Sequence, residues 1–193
     1  MKLILEKEMS INLLKGDIYE SCDLIPSKCI NNLCNLFNTS IDDEDRLCGT
    51  NIGSSIHYDP KFFEDVRKKY DFDTCTLSSP SNDKVVAACF MNPDPIRAWD
   101  NHPEWFYDEE NPVYLSSFGV DRNFRNRGIG SKLLDWLVDE YSNRGFGSML
   151  FRVNNNNNPA INIYKRKGFL TKLSYFDPND NVQKNIMFLK LSS

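Results

Sequence analysis

The sequence predicts an α/β fold in which a mixed sheet carries helices on both faces. Two observations support this prediction. Short runs rich in β-branched and aromatic residues, bounded by Gly, Pro, Asn and Asp, are typical of strands, and segments between them place apolar residues at helical spacing. With 193 residues, of which 40% are hydrophobic and 12% aromatic, the chain can bury one full core. We therefore expect a single domain over residues 1–193.

The N-terminal half is predicted mainly from periodicity. After Pro26, the apolar residues Ile30, Leu33 and Phe37 recur at helical spacing, which indicates a helix. A run of acids follows Ser40 and is interpreted as a turn. The predicted elements of this half are a strand at 11–14, a helix at 26–37, an acidic turn at 40–46, a helix at 60–70, and a hairpin with strands at 72–77 and 85–91.

The C-terminal half has clearer boundaries between elements. Leu133, Leu134, Leu137 and Tyr141 form the apolar face of an amphipathic helix. Two final apolar runs are separated by Pro, Asn and Asp, which favours a closing hairpin. The predicted elements of this half are a strand at 113–120, a helix at 131–141, a strand at 148–153, a short helix after 158, and strands at 169–176 and 182–191.

Charge and composition exclude several classes of partner. The net charge is −4 and no polybasic block occurs, which argues against nucleic acid or an anionic membrane. No stretch resembles a signal peptide or reaches transmembrane length, so we expect a cytoplasmic protein. The six cysteines lack close pairs, and His57 and His102 lack a metal-binding pattern. Reduced thiols and no metal site are therefore expected.

The first motif is the loop Arg125-Asn126-Arg127-Gly128-Ile129-Gly130, which lies between a predicted strand and a predicted helix. The first amides of a helix have no acceptor within it, and together with the helix dipole they favour a bound phosphate. Glycines at 128 and 130 allow an anion close to the backbone. A dinucleotide fingerprint would need glycine where Leu133 lies, and the spacing also excludes a Walker loop.

The second motif runs from Asn157 to Phe169. Pro159 suits the first turn of a helix with Asn158 as its cap, and Gly168 suits the position just after the helix ends. Tyr164 then projects from a short helix at a fixed place. A run of five asparagines precedes the helix, so Asn154 is within reach of the same region as Asn157.

Together the two motifs resemble the GNAT acyltransferase superfamily, which transfers acyl groups from acyl-CoA. The similarity covers the C-terminal half, from about Tyr114 to Phe169, whereas the N-terminal half matches only in general layout. It implies a GNAT-like fold, with a mostly antiparallel sheet of about seven strands that is splayed at the cofactor site. It also implies acetyl-CoA as the co-substrate and a primary amine as the acceptor.

The resemblance implies a role for each matching residue. In this family the loop backbone holds the CoA pyrophosphate, the end of the preceding strand pairs with the pantetheine amides, and the second motif contacts the pantetheine arm. The tyrosine lies beside the thioester sulfur and acts as general acid on the CoA thiolate. The implied catalytic residue is Tyr164, and the implied cofactor-binding residues are Phe118, Gly119, Val120, Arg125, Asn126, Arg127, Gly128, Ile129, Gly130, Ser131, Asn157, Ala160, Tyr164 and Lys167.

The general base is left open by the sequence. A protonated alkyl amine has a pKa of about 10.4 and cannot attack until a base removes its proton. Many members of the family carry a glutamate in the central strand, but the corresponding position here is Ser116. The candidate bases lie in or beside the insertion between the halves of the chain, residues 92–112, and are Glu109, Glu110, Asp94 and Asp100.

Other interpretations also stay open. The insertion at 92–112 either shapes the acceptor pocket or is a surface loop anchored by its aromatic residues. The missing strand glutamate favours a second function, a non-catalytic acyl-CoA-binding sensor or interaction module. A cysteine hydrolase would need Cys89 and His102 to form a close pair. The identity of the acceptor, and whether the protein is a monomer or a homodimer, are not predicted.

Overall fold

The computed structural model describes residues 15–19, 25–50, 57–63, 72–79, 84–95 and 103–191. Within these residues, seven strands form one sheet in the order β1-β2-β3-β4-β5-β7-β6. The strands are β1 (Lys15–Tyr19), β2 (Asp73–Ser78), β3 (Val85–Asn92), β4 (Pro112–Val120), β5 (Ser148–Asn154), β6 (Leu170–Asp177) and β7 (Val182–Lys190). All neighbouring strands are antiparallel except β4 and β5, which are parallel. The predicted mixed, mostly antiparallel sheet is confirmed.

Helices cover both faces of this sheet, as predicted. They are α1 (Ser27–Cys48), α2 (Ile129–Asn143) and α3 (Asn158–Arg166). α2 and α3 bury their apolar sides in the largest core cluster, whereas α1 packs on the other face against β3 residues such as Ala88 and Phe90. Among the described residues, no helix combines the length and the apolar character needed to cross a membrane.

The structure corrects the interpretation of residues 40–46. They are not a turn but the second half of α1, which continues to Cys48 and ends where Gly49 adopts a left-handed conformation with φ of 70°. Phe37, Ile41, Glu44 and Cys48 follow one another at helical spacing, so one face of the helix runs through the acidic segment. The four consecutive acidic residues at 42–45 interrupt the apolar pattern, so the sequence did not indicate that the helix continues.

Strand β1, at Lys15–Tyr19, was not predicted, and the other elements agree with prediction except in detail. α2 is two residues longer at each end than the predicted helix, and the cap of α3 is Asn157 rather than Asn158. Residues 60–63 are helical, but the rest of the predicted helix at 60–70 and the whole predicted strand at 11–14 lie outside the described residues.

Aromatic residues anchor the described part of the insertion to the sheet. Trp105 and Phe106 are each 2% exposed and pack against Tyr114, Leu150 and Ile186. This cluster covers the half of the sheet that α1 does not cover. The anchored-loop interpretation therefore fits residues 103–111, while residues 96–102 lie outside the described residues.

The sheet opens between its two parallel strands. β4 and β5 pair only at Pro112, Val113 and Tyr114 of β4, although β4 continues to Val120. On the other edge of β4, a bulge places Ser117 and Phe118 opposite a single residue of β3. Ser117 has a positive φ of 51°, and its hydroxyl shares a hydrogen bond with the hydroxyl of Tyr58. A bulge bends a strand, so β4 turns away from β5 beyond Tyr114. The predicted splay is confirmed.

Packing at Gly119 gives a testable prediction about stability. A Cβ at this position would lie 2.5 Å from Leu36 Cδ2 and 2.7 Å from Ser40 Oγ, both in α1. We expect Gly119→Ala to lower the free energy of unfolding by about 1 kcal/mol or more, because overpacking forces buried groups apart. Chemical denaturation measures this change.

Gly130→Ala is the matched control. A Cβ at Gly130 would meet Val120 Cγ2 at 3.5 Å, an ordinary contact. This variant should keep the stability of the original chain or gain slightly, because alanine favours a helix more than glycine does. Equal stability of the Gly119→Ala variant and the unaltered chain would contradict the close packing of α1 on β4.

Candidate active site

A groove of about 900 Å³ occupies the gap between β4 and β5. The start of α2 and one side of α3 form one part of its wall, and the second half of α1 forms another. The predicted site residues that line the groove are Phe118, Gly119, Val120, Arg125, Asn126, Gly128, Ile129, Gly130, Ser131, Asn157, Ala160 and Tyr164. The structure therefore brings twelve of the fourteen predicted residues together.

Arg127 and Lys167 do not line this groove. The Arg127 guanidinium lies 5.6 Å from the ring centroid of Phe124, and the Lys167 ammonium lies 2.7 Å from a carboxylate oxygen of Asp135. Lys167 thus contacts a residue that does not line the groove, whereas Arg127 packs on Phe124, which does. The loop residue Arg127 is predicted to bind the cofactor through its backbone, so its role stays a prediction, as does that of Lys167.

The start of α2 has the geometry of an anion site. Gly128 caps the helix with φ of 76°, a conformation that favours glycine, and no side chain caps the first turn. Within the described residues, the amides of Ile129, Gly130 and Ser131 have no hydrogen-bond acceptor, and the first helical bond runs from Lys132 N to Gly128 O. These open amides and the helix dipole face the groove together.

Arg125 fixes the loop in front of these amides. Its Nε donates to Val120 O at 2.9 Å, and its guanidinium forms an ion pair with Asp43 of α1. Arg122 also pairs with Asp43. Although desolvation opposes ionisation, the hydrogen bonds from the two arginines hold the pKa of Asp43 below its usual range. Asp43 therefore stays ionised and joins α1 to the loop.

Tyr164 lies at the inner part of the groove and is 8% exposed. Its ring packs against Phe151, with centroids 4.3 Å apart, and against Phe118 at 6.4 Å. Burial, followed by the nearby carboxylate of Glu44, raises the pKa of this phenol well above its ordinary value. The hydroxyl consequently keeps its proton at neutral pH and is available as a donor.

Asn157 connects α3 to the groove. Its Oδ1 accepts a hydrogen bond from Ala160 N at 3.3 Å, which caps the helix, and its Nδ2 points at Glu44 Oε1 at 3.5 Å. Asn154, at the end of β5, donates to the same Glu44 oxygen at 2.9 Å. The sequence did not decide which asparagine faces the site, and both Asn154 and Asn157 contact the carboxylate of Glu44.

Sequence reasoning missed the charged residues contributed by α1 and by the last strands. The unpredicted charged residues that line the groove are Asp43, Glu44, Arg152, Arg166, Asp177, Asp180 and Lys184. The signal for Glu44 was present, because it continues the buried spacing of Phe37 and Ile41. The signal for the others was weaker, since the sequence around them shows no unusual pattern.

The base candidates named from sequence lie elsewhere. Glu109 is paired with Lys172, and neither Glu109, Glu110 nor Asp94 lines the groove. Asp100 lies outside the described residues. The groove is lined by Ser116, at the position where the family pattern has a glutamate.

The environment of Cys89 argues against the cysteine-hydrolase interpretation. Cys89 is fully buried in the main core cluster, where desolvation and the neighbouring Cys75 raise the pKa of its thiol well above the ordinary value. His102 lies outside the described residues. A protonated thiol that has no access to solvent cannot act as a nucleophile.

Comparison with known proteins decides the family. A sequence model described as the Acetyltransferase (GNAT) family matches residues 39–169, more than half of the chain. The chain belongs to this family. The resemblance carried by the two motifs is therefore confirmed. GNAT N-acetyltransferases use acetyl-CoA as co-substrate.

Curated relatives match over a short region. The [Ribosomal protein bS18]-alanine N-acetyltransferase of Salmonella typhimurium is 38% identical over 55 residues, and that of Escherichia coli strain K12 is 34% identical over 55 residues. In both cases the match covers 28% of this chain and 37% of the relative. The match thus spans little more than a third of the relatives' length.

Solved structures share the fold of this chain over nearly its whole length. The Escherichia coli ribosomal-protein-S18-alanine N-acetyltransferase has 18% identity and a TM-score of 0.59, with coverage of 93% of this chain and 96% of its own. A GCN5-related N-acetyltransferase from Kribbella flavida has 18% identity and a TM-score of 0.63, with coverage of 94% and 100%. Arabidopsis thaliana NAA60, in complex with a bisubstrate analogue, has 17% identity and a TM-score of 0.55, with coverage of 91% and 98%.

The open amides of α2 give a prediction about ligand affinity. We expect Gly130→Ala to raise the dissociation constant for CoA about tenfold, or about 1.4 kcal/mol, because the added methyl group lies between the amides and the end of β4. Isothermal titration calorimetry measures the constant.

Asp139→Ala is the control for this experiment, since Asp139 is exposed on α2 and does not line the groove. Its affinity for CoA should equal that of the unaltered chain. Unchanged CoA affinity in the Gly130→Ala variant would contradict close approach of the ligand to these amides.

Proposed function

We propose that this acetyltransferase moves an acetyl group from acetyl-CoA to a primary amine by direct attack, with Tyr164 as general acid on the departing CoA thiolate. The observation that carries the proposal is the position of the Tyr164 phenol, which lies in the groove between β4 and β5. The open amides of α2 line the same groove. One cavity thus offers an anion site and a protonated acid.

The cofactor is proposed to follow the groove from the α2 amides toward Tyr164. Its pyrophosphate binds the backbone between Arg125 and Ser131. There the amides of Ile129, Gly130 and Ser131 have no acceptor among the described residues, and the helix dipole favours negative charge. Its pantetheine arm lies along the edge of β4 from Phe118 to Val120. Within the described part of the chain, no strand pairs with that edge beyond Tyr114, so its backbone groups are available to amides of the arm.

Tyr164 is suited to act on the leaving group. The departing thiolate needs a proton or a strong hydrogen bond, and a phenol whose pKa is raised by burial retains its proton until charge develops on the sulfur. The aromatic neighbours Phe118 and Phe151 limit the motion of the ring. A low dielectric around the hydroxyl also strengthens its interaction with the sulfur anion.

The first acceptor to test is the α-amine of an alanine-initiated peptide. The curated relatives are named for acetylating an alanine of a ribosomal protein. Because the match covers 28% of this chain, small amines, amino sugars and lysine side chains are tested in the same panel. Release of the CoA thiol reports turnover for every acceptor.

A second candidate is a non-catalytic acyl-CoA-binding module, which Ser116 favours because the family's strand glutamate is missing. Such a module would bind acetyl-CoA without releasing its thiol. Calorimetry and the thiol-release panel together separate the two functions. We further propose that residues 1–193 act as one domain with no nucleic acid or membrane partner.

Replacing the Tyr164 hydroxyl tests the catalytic proposal. We expect Tyr164→Phe to lower kcat by about 10²-fold or more, because the thiolate then leaves without a proton donor. The dissociation constant for CoA should stay within about twofold, since the ring and its packing are retained. Steady-state thiol release and calorimetry measure these quantities.

Tyr107→Phe is the matched control, because Tyr107 is 61% exposed and lies outside the groove lining. This variant should keep the kcat of the unaltered enzyme. Full activity in Tyr164→Phe would remove Tyr164 from the mechanism. Loss of activity together with loss of CoA binding would assign it to binding instead.

A further inference from the structure

Four carboxylates of the described residues line the groove, and three of them form ion pairs with cationic side chains. Asp43 is paired with Arg122 and Arg125, and Asp177 and Asp180 are both paired with Lys184. Although burial opposes it, the hydrogen bond from Lys184 holds the pKa of Asp177 below its usual range. A carboxylate held in an ion pair is a weak base. Asp43 and Asp177 are therefore poorly suited to take a proton, and the carboxylate of Asp180 is engaged by Lys184.

Glu44 is held differently. It has no ion-pair partner among the described residues, and its Oε1 accepts hydrogen bonds from two neutral amides, those of Asn154 at 2.9 Å and Asn157 at 3.5 Å. Its other oxygen, Oε2, accepts no hydrogen bond from any described residue. The carboxylate is therefore oriented by one oxygen and leaves the other available to a ligand.

The surroundings of Glu44 favour its protonated form. Burial is the main cause that raises its pKa, and the nearby Asp45 adds to this effect, whereas Asn157, Lys184 and Asn154 partly oppose it. Other titratable groups that interact with it are the thiol of Cys48, one turn further along α1, and the phenol of Tyr164 on α3. A carboxylate with a raised pKa is a stronger base than an ordinary one.

Asn154 gives a second indication that a ligand with N–H groups belongs here. Its side chain lines the groove and is 3% exposed, and its Oδ1 has no hydrogen-bond donor among the described residues. An unsatisfied buried acceptor costs about 1–3 kcal/mol. An ammonium group bears three donors and would relieve this cost while facing Glu44.

We propose that Glu44 and Asn154 form the subsite for the acceptor amine and that Glu44 Oε2 is the general base that deprotonates it. This inference rests on the proposed acetyl transfer and names the base that the sequence left unassigned. The carboxylate comes from α1, on the opposite face of the sheet from α2 and α3. Glu44 thus takes the role of the family's strand glutamate, whose position is occupied by Ser116 in this chain.

In the proposed reaction, Glu44 and Tyr164 divide the proton transfers between them. The acceptor ammonium gives one proton to Glu44 Oε2, and the neutral nitrogen then bonds to the thioester carbonyl carbon. The C–S bond breaks, its electron pair leaves on sulfur, and the sulfur takes the proton of Tyr164. The second proton of the new amide nitrogen restores the phenol, and Glu44 releases its proton to water. The products are the N-acetyl amine, CoA thiol and one proton.

The decisive variant is Glu44→Gln, assayed with two acceptors. The first is an alanine-initiated peptide, whose α-amine has a pKa of about 8 and is mostly protonated at pH 7. The second is hydroxylamine, which is largely unprotonated at that pH and needs little help from a base. We expect kcat/KM for the peptide to fall about 10²-fold or more, while the value for hydroxylamine stays within about threefold.

The pH profile supplies an independent readout. With the peptide, kcat/KM of the unaltered enzyme should decline in acid as Glu44 becomes protonated. In Glu44→Gln this dependence should be replaced by the titration of the free amine, so that the rate rises about tenfold per pH unit until the amine pKa is reached. Asp42→Asn, which removes an exposed charge from the same helix, should match the unaltered enzyme.

The glutamine variant is expected to fold. Because burial raises the pKa of Glu44 above its value in the unfolded chain, ionisation of this group reduces stability as the pH rises through the raised pKa. Removing the charge should therefore keep or increase the stability at pH 8. Thermal unfolding of the variant checks this point before the kinetics are interpreted.

The Asn154→Leu variant tests whether Asn154 contacts the acceptor amine or the CoA moiety. We expect about a tenfold increase in the KM of the peptide and no change in the dissociation constant for CoA. Weaker CoA binding with unchanged peptide KM would place Asn154 on the cofactor arm and overturn its assignment to the amine subsite.

The outcomes distinguish this inference from the function on which it rests. If the unaltered enzyme acetylates the peptide and Glu44→Gln keeps both its rate and its pH profile, Glu44 is not the base, while acetyl transfer stands. If the unaltered chain binds CoA but acetylates no amine, the proposed function fails and the base assignment fails with it.

Discussion

β4 and β5 hydrogen-bond only as far as Tyr114 and Leu150, and beyond that point the two strands diverge. The bulge at Ser117 and Phe118 bends β4 away, and the hydrogen bond between Ser117 and Tyr58 holds the unusual backbone in place. An open edge of this kind would be costly in a core, because unpaired backbone groups need partners. Here the edge lines a groove, where the amides of a bound cofactor can take the place of the missing strand.

The groove is assembled from elements distant in sequence. α2 begins beside the end of β4 and presents its free amides, α3 places Tyr164 between Phe118 and Phe151, and α1 crosses from the other face with Asp43 and Glu44. Ion pairs hold one of these acids and neutral amides hold the other. Arginines keep Asp43 in its charged form, whereas asparagines orient Glu44 and leave its basicity to burial. Two adjacent acids on one helix thus differ in role because their neighbours differ.

Local sequence predicted the C-terminal half of the molecule well. Gly128, Gly130 and the cap of α3 mark boundaries that depend on nearby residues, so the phosphate loop and Tyr164 can be located from the amino-acid sequence alone. The proximity of Glu44 to Asn154 cannot be predicted from local sequence, because it depends on how α1 packs across the sheet. Charged residues at 42–45 suggested a turn, yet the buried spacing through Phe37 and Cys48 overrode them. Lys167 pairs with Asp135 and does not line the groove, and motif spacing does not predict this ion pair.

We propose that the gap where β4 diverges from β5 and the amides at the start of α2 together bind the CoA moiety. The most direct measurement is a titration of isotope-labelled protein with CoA, followed by amide chemical shifts in NMR spectra. We expect the largest chemical-shift changes at residues 128–131 and 116–120. Saturable binding with shifts confined to other parts of the chain, or no shifts at millimolar CoA, would contradict it.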